Sequence, residues 1–190
     1  MTRRRRIVGV TAAVSVLTLS VTVFDPLPRL MWNATPSVPV GLYAIRETGR
    51  PERGSLFAVA PPQPLARHLA ERGYLPLGVP LLKPLAAIPG QHVCRIGAVI
   101  LIDGVAVGSA RERDRLGRPL PRWSGCRVIA DDQLFFMNAA AADSLDGRYF
   151  GPLPASTVLG RGTPIWTDPP RSPSPPPADA AAPFPTLDRR

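Results

Sequence analysis

Three short segments hold side chains able to do chemistry. The first is Asn33-Ala34-Thr35-Pro36-Ser37-Val38-Pro39-Val40-Gly41-Leu42-Tyr43. Prolines on both sides of Ser37 restrict the backbone to extended or turning conformations and hold the hydroxyl in a rigid setting. The second is Pro80-Leu81-Leu82-Lys83-Pro84-Leu85-Ala86-Ala87-Ile88-Pro89-Gly90, an apolar run with one lysine inside it. Burial disfavours the ammonium form and lowers the pKa of the amine. A neutral amine is a general base that can take the proton of a serine hydroxyl, as histidine does elsewhere. Of 23 basic residues, 22 are arginine, and Lys83 is the one lysine. It stands where a guanidinium, with a pKa above about 12, could not lose its proton. The third segment is Asp143-Ser144-Leu145-Asp146-Gly147-Arg148-Tyr149-Phe150-Gly151-Pro152, in which Asp146 and Arg148 are two apart and able to pair. Each segment also has a plainer reading: a loop serine, a lysine snorkelling from a strand edge, and a polar loop between strands.

The elements that must position these residues are short and mainly β. Asp25 to Ser37 is Pro-rich and reads as an extended approach to the domain. Ser55 to Val59 reads as a strand. Pro64 to Arg72 reads as a short helix closed by Gly73. Leu81 to Ile88 is a strand that Pro84 demotes to an edge or bulged one. Ala98 to Val107 is a hairpin about Asp103-Gly104, a strong two-residue turn signal between apolar runs. Ser109 to Trp123 is a charged, exposed loop, and Leu134 to Asn138 and Thr157 to Trp166 are further strands. The 25 prolines exclude a helical bundle, and 190 residues suffice for one domain with a real core.

The net charge is +9, and four of the positive charges are Arg3 to Arg6. The remainder is spread along the chain rather than gathered in a patch, which argues against a nucleic-acid partner. Ile7 to Phe24 carries no charge over 18 residues, about 27 Å as a helix and just enough for the hydrocarbon core. Arginines on its N-terminal side predict that this end stays in the cytoplasm while the rest crosses over. The rival is a cleaved signal peptide, but the run exceeds the usual apolar region and Phe24-Asp25-Pro26-Leu27-Pro28 is a poor cleavage site. Outside the cytoplasm, Cys94 and Cys126 are expected to form a disulfide. Two cysteines and two scattered histidines do not make zinc-ligand spacing. The expected organisation is an anchor over residues 1–24, a domain over 25–167, and a tail over 168–190. Eight prolines in the last 23 residues leave that tail too little apolar area to pack, so it should be disordered.

Taken together, Ser37, Lys83 and Ser144-x-Asp146-x-Arg148-Tyr149-x-Gly151 resemble the signal peptidase I superfamily of Ser/Lys membrane proteases, in order and in spacing. The likeness runs from about Thr35 to Trp166. The Pro-Ser-Val-Pro-Val-Gly-Leu-Tyr string and the compact length are most similar to its TraF-type conjugal transfer branch, which matures pilin subunits. The Asn138 to Asp143 stretch departs from general signal peptidases in being alanine-rich. The resemblance implies an antiparallel β-sheet signal-peptidase-like domain behind an N-terminal transmembrane helix, with a few short helices. It implies Ser37 as nucleophile and Lys83 as base. Ser144 would orient the lysine, Asp146 and Arg148 would brace that segment, and Thr35 would offer a hydroxyl to the oxyanion. No metal or cofactor enters this chemistry. The implied partners are a pilin or other exported precursor, membrane lipid and the conjugative transfer machinery. The implied place is the bacterial inner membrane, single-pass, with the catalytic domain in the periplasm. A general signal peptidase I is the alternative within the same chemistry. A non-catalytic structural component of a conjugation or secretion apparatus is the alternative from another class.

Overall fold

The computed structural model describes residues 3–24, 29–47 and 49–169, with the backbone alone for residues 20–24. Helix α1 (Arg3–Phe24) runs unbroken, and its described side chains from Ile7 to Leu19 carry no charge. Among the described residues, however, no helix is long and apolar enough to cross a membrane. Part of the span expected over Ile7 to Phe24, beyond Leu19, lies outside the described side chains. The disordered tail expected from Asp168 lies, from Pro170 onward, outside the described residues.

The rest is two antiparallel sheets. Strands β1 (Leu30–Asn33), β2 (Gly41–Arg46), β3 (Leu56–Val59), β4 (Leu81–Ala87), β9 (Gln133–Phe136), β10 (Leu153–Pro154) and β11 (Val158–Thr167) form a sheet in the order β1-β2-β11-β3-β4-β9-β10. Strands β5 (His92–Ile96), β6 (Val99–Ile102), β7 (Val105–Ser109) and β8 (Gly125–Val128) form the other, in the order β7-β6-β5-β8. Helix α2 (Gln63–Glu71) follows β3, one residue earlier at each end than expected, with Pro64 in its first turn and Arg72 as its C-cap. Gly73 then takes φ 68°, which stops the helix. The β6–β7 hairpin turns at Asp103 and Gly104 with φ of 49° and 81°, the left-handed pair that a two-residue turn needs.

Period-2 patterning puts the apolar residues inward. In β2, Gly41, Tyr43 and Ile45 are buried and alternate with partly exposed neighbours. One core lies between the large sheet and α2, with Phe57, Leu69, Leu85 and Phe136 at its centre. A second joins the two sheets through Val93, Ile100, Phe135 and Met137. Cys94 and Cys126 face each other across β5 and β8 and are disulfide-bonded.

Two expectations need correction. Strand β4 is not an edge, for it lies between β3 and β9. The missing N–H of Pro84 is tolerated because its carbonyl still accepts the Met137 N–H at 3.1 Å, and the pairing with β9 shifts register between Leu85 and Ala87. The strand is thus bulged, as the proline implied, but interior. The polar loop that was the plainer reading of Asp143 to Pro152 contains a short helix, α3 (Gly147–Phe150), with buried Gly147, Arg148 and Tyr149.

Candidate active site

Ser37 sits in the connection between β1 and β2. The loop has no strand ladder of its own, so side chains satisfy its backbone. Asn33, buried at the end of β1, donates its amide to the carbonyls of Thr35, Val38 and Pro39 at 2.8, 3.1 and 3.1 Å. The Tyr43 hydroxyl donates to the Pro39 carbonyl at 2.6 Å, and Asn138 Nδ2 donates to the Ser37 carbonyl. Val38 plugs into a core cluster with Tyr43, Ile45, Ala58 and Leu82. These ties hold Ser37 half-buried with its Oγ 3.2 Å from Thr35 Oγ1. Thr35 donates its own proton to Asn33 Oδ1 at 3.0 Å, so the Ser37 hydroxyl is the donor across that pair. The Ser37 backbone N–H donates to no group of the chain among the described residues.

Lys83 projects from interior strand β4 and is only 4% exposed, which removes the snorkelling reading. Its Nζ donates to Ser144 Oγ at 2.9 Å. Burial pulls its pKa down to about 8; the Asp146 carboxylate opposes this, the Arg148 guanidinium adds to it, and Asp143 opposes it again. Ser144 is itself buried.

Asp146 and Arg148 do pair, and both are buried. Arg148 Nε and Nη2 reach Asp146 Oδ1 and Oδ2 at 2.9 and 2.8 Å, a two-pronged ion pair. Asp146 also accepts the N–H groups of Asn138 (3.0 Å) and Arg148 (3.2 Å), the second of which caps α3. Arg148 Nη2 also donates to the carbonyls of Asn138 and Ala141, and Nη1 donates to those of Ala142 and Ser109. The pair therefore clamps the 138–142 loop onto α3, which places Asn138 against the Ser37 loop and Ser144 against Lys83. Gly147 is required here: a Cβ would lie 2.6 Å from the Phe135 ring and 2.7 Å from the Phe136 carbonyl oxygen.

Thr35, Ser37, Lys83 and Ser144 line one cleft of about 650 Å³, with apolar walls that include Met31, Leu81, Leu82 and Leu145. Among the described residues no hydrogen bond joins Ser37 to Lys83; each is held by a different neighbour on the same cleft. The site thus offers a hydroxyl, a buried amine with a lowered pKa and an unengaged backbone N–H along one largely apolar cleft.

The signal peptidase, peptidase S26, family model matches residues 3–167. The chain belongs to the signal peptidase family, peptidase S26. This family member is 38% identical over 145 residues to the probable conjugal transfer protein TraF of Sinorhizobium fredii, covering 71% of this chain and 76% of that one. It is also 38% identical over 178 residues to the conjugal transfer protein TraF of Agrobacterium tumefaciens, covering 88% and 98%. A solved signal peptidase I from Enterococcus faecalis matches at 19% identity and TM-score 0.36, covering 60% of this chain and 97% of that one.

Two residues of this peptidase family member escaped sequence reasoning. Asn33 is the centre of the Ser37 loop, and Asn138 joins that loop to the Asp146–Arg148 clamp. Asn33 had a local signal, since an asparagine two residues before a threonine at a strand end favours a side-chain-closed turn. Asn138 had none, because its partner lies 101 residues away.

Proposed function

We propose that this protein is a membrane-anchored serine endopeptidase that cleaves an exported precursor, a pilin of a conjugation system, with Ser37 as nucleophile and Lys83 as base. The observation that carries the proposal is the buried Lys83 amine, with its pKa drawn down to about 8, lining the same cleft as Ser37. Ser144 accepts one of its N–H bonds and so orients the lone pair once the amine is neutral. The relatives named for conjugal transfer support a role in conjugation.

Neutral Lys83 takes the Ser37 hydroxyl proton as Oγ attacks the scissile carbonyl carbon. The Ser37 N–H and the Thr35 hydroxyl, turned away from Asn33, donate to the oxyanion; one such donor is worth roughly 3–4 kcal/mol of barrier. The leaving amine collects the proton from Lys83, and the Ser37 ester is then released by water or by an amine of the substrate. Anchorage rests on the uncharged run from Ile7 to Phe24 behind four arginines, with the cytoplasm on the arginine side and the catalytic domain in the periplasm. Exposed Trp32 and Trp166, stacked at 5.9 Å beside exposed Leu30 and Ile165, suit a membrane-facing surface.

The test is mass spectrometry of a co-expressed pilin precursor. Wild-type enzyme should shorten it at one bond, and Ser37→Ala should leave it intact. Cleavage surviving in Ser37→Ala would remove the nucleophile from the scheme.

A further inference from the structure

Beside the cleft lies a second cavity of about 410 Å³ lined by Arg95, Arg111, Arg113 and Arg122, with Glu112 as the acid on its wall. Arg95 is only 4% exposed. Its Nε donates to the Gly97 carbonyl at 3.3 Å and its Nη1 to the Arg148 carbonyl at 2.6 Å. Its Nη2 has no partner in the chain, yet among the described residues no buried side-chain polar atom lacks one. Nη2 is therefore not sealed from solvent, and Arg95 lines the cavity.

Four guanidiniums thus share this cavity with one carboxylate, that of Glu112. The ion pairs among the described residues are Arg115–Asp143, Arg118–Asp114, Arg148–Asp146 and Arg161–Glu52, and none involves these arginines. Asp143 does feel Arg111, but it is already paired with Arg115. Burial, and after it the like charge of Arg122, both push the Arg95 pKa down. Four gathered like charges against a single acid repel one another, and a bound anion offsets that repulsion. Guanidiniums also match the planar, two-oxygen geometry of a carboxylate. Finally, Arg111 and Arg113 line both this cavity and the cleft that holds Ser37.

We infer that the arginine cavity is a specificity site that binds the carboxylate of an acidic side chain of the polypeptide lying in the cleft. The inference rests on the peptidase reading for what occupies the cleft. Its site is new chemistry within that reading: a charge-selective pocket next to an apolar groove.

The experiment uses the full chain carrying Ser37→Ala, in detergent micelles, so that binding is read without cleavage. The probes are alanine-rich octapeptides with one glutamate stepped through each position, against glutamine counterparts, measured by calorimetry. In at least one position the glutamate peptide should bind roughly tenfold tighter, as expected for a charge-assisted contact. Arg111→Gln with Arg122→Gln should bring that ratio to about one, while Arg161→Gln, outside the cavity, should keep it. A ratio near one at every position, or a ratio that survives the double substitution, overturns the inference. So does a double variant that loses only its binding to phosphatidylglycerol vesicles, which would assign the cavity to a lipid headgroup. Failure of the peptidase reading is separate. It appears as an uncleaved precursor with wild-type Ser37, whereas the glutamate preference is measured in Ser37→Ala.

Discussion

Replacing Lys83 by methionine should make the protein more stable at neutral pH while abolishing cleavage. The amine is drawn from its ordinary 10.5 down to about 8 in the folded state, chiefly by burial. A depressed folded pKa means that the unfolded chain binds more protons between pH 8 and 10.5. Stability therefore rises with pH through that window and is lowest below it. A gap of about 2.5 units at about 1.4 kcal/mol per unit makes the buried charge cost roughly 3 kcal/mol at pH 7. Lys83 is nearly inaccessible, so solvent screening takes little from that figure. Methionine is unbranched and of similar length, so it can occupy the same space. Against the gain stands Ser144, whose buried hydroxyl loses its partner at a cost of about 1 kcal/mol. The net is about 2 kcal/mol of stabilisation at pH 7, or a rise of roughly 4–8 °C in Tm for a chain of this size. By pH 11 wild-type Lys83 is mostly neutral in both states, and the balance should reverse to about 1 kcal/mol in favour of the wild type. The assay is paired thermal denaturation of wild type and Lys83→Met from pH 7 to 11, because the difference cancels every other titrating group. A difference that does not change with pH, or a variant already less stable at pH 7, would refute the reasoning.

Cleavage by the wild type should fall on the acid side with one apparent pKa near 8, since only the neutral amine accepts the proton; a rate flat from pH 6 to 9 would count against Lys83 as the base. Asp146→Asn removes the carboxylate that holds the Lys83 pKa up, so the acid limb should move to lower pH, and it leaves Arg148 buried without its counter-charge, at a loss of about 3–5 kcal/mol read by denaturation. Replacing Cys94 and Cys126 together by alanine opens a loop of 32 residues and should lower stability by about 3–4 kcal/mol, while a melting temperature equal to that of the wild type would show that the bridge adds nothing.

What could be read in advance followed from local physics. Pro36 and Pro39 around Ser37, one lysine within an apolar run, and Asp-Gly between apolar runs each act within a few residues, and the structure bears out the buried lysine and the hairpin. What could not be read was set by partners far along the chain. Pro84 signals that β4 departs from regular pairing, but nothing near it says that β9 will cover the far side and make the strand interior. The spacing of Asp146 and Arg148 permits their pair, but not the grip of Arg148 on four carbonyls of two other segments. That grip decides the site. Lys83 and Ser144 are 61 residues apart, and Ser37 and Asn138 are 101 apart. Both contacts depend on residues 138–144, a stretch of alanines and small polar residues with almost no apolar area to pack. Such a segment would not hold one conformation by burial alone. The buried guanidinium supplies the missing constraint, by binding the carbonyls the loop would otherwise give to water. Arginine is suited to this because its donors fan out in a rigid plane, where a lysine would offer a single flexible point. The alanine-rich stretch thus depends on Arg148 for its shape, and the setting of Lys83 depends on that stretch in turn.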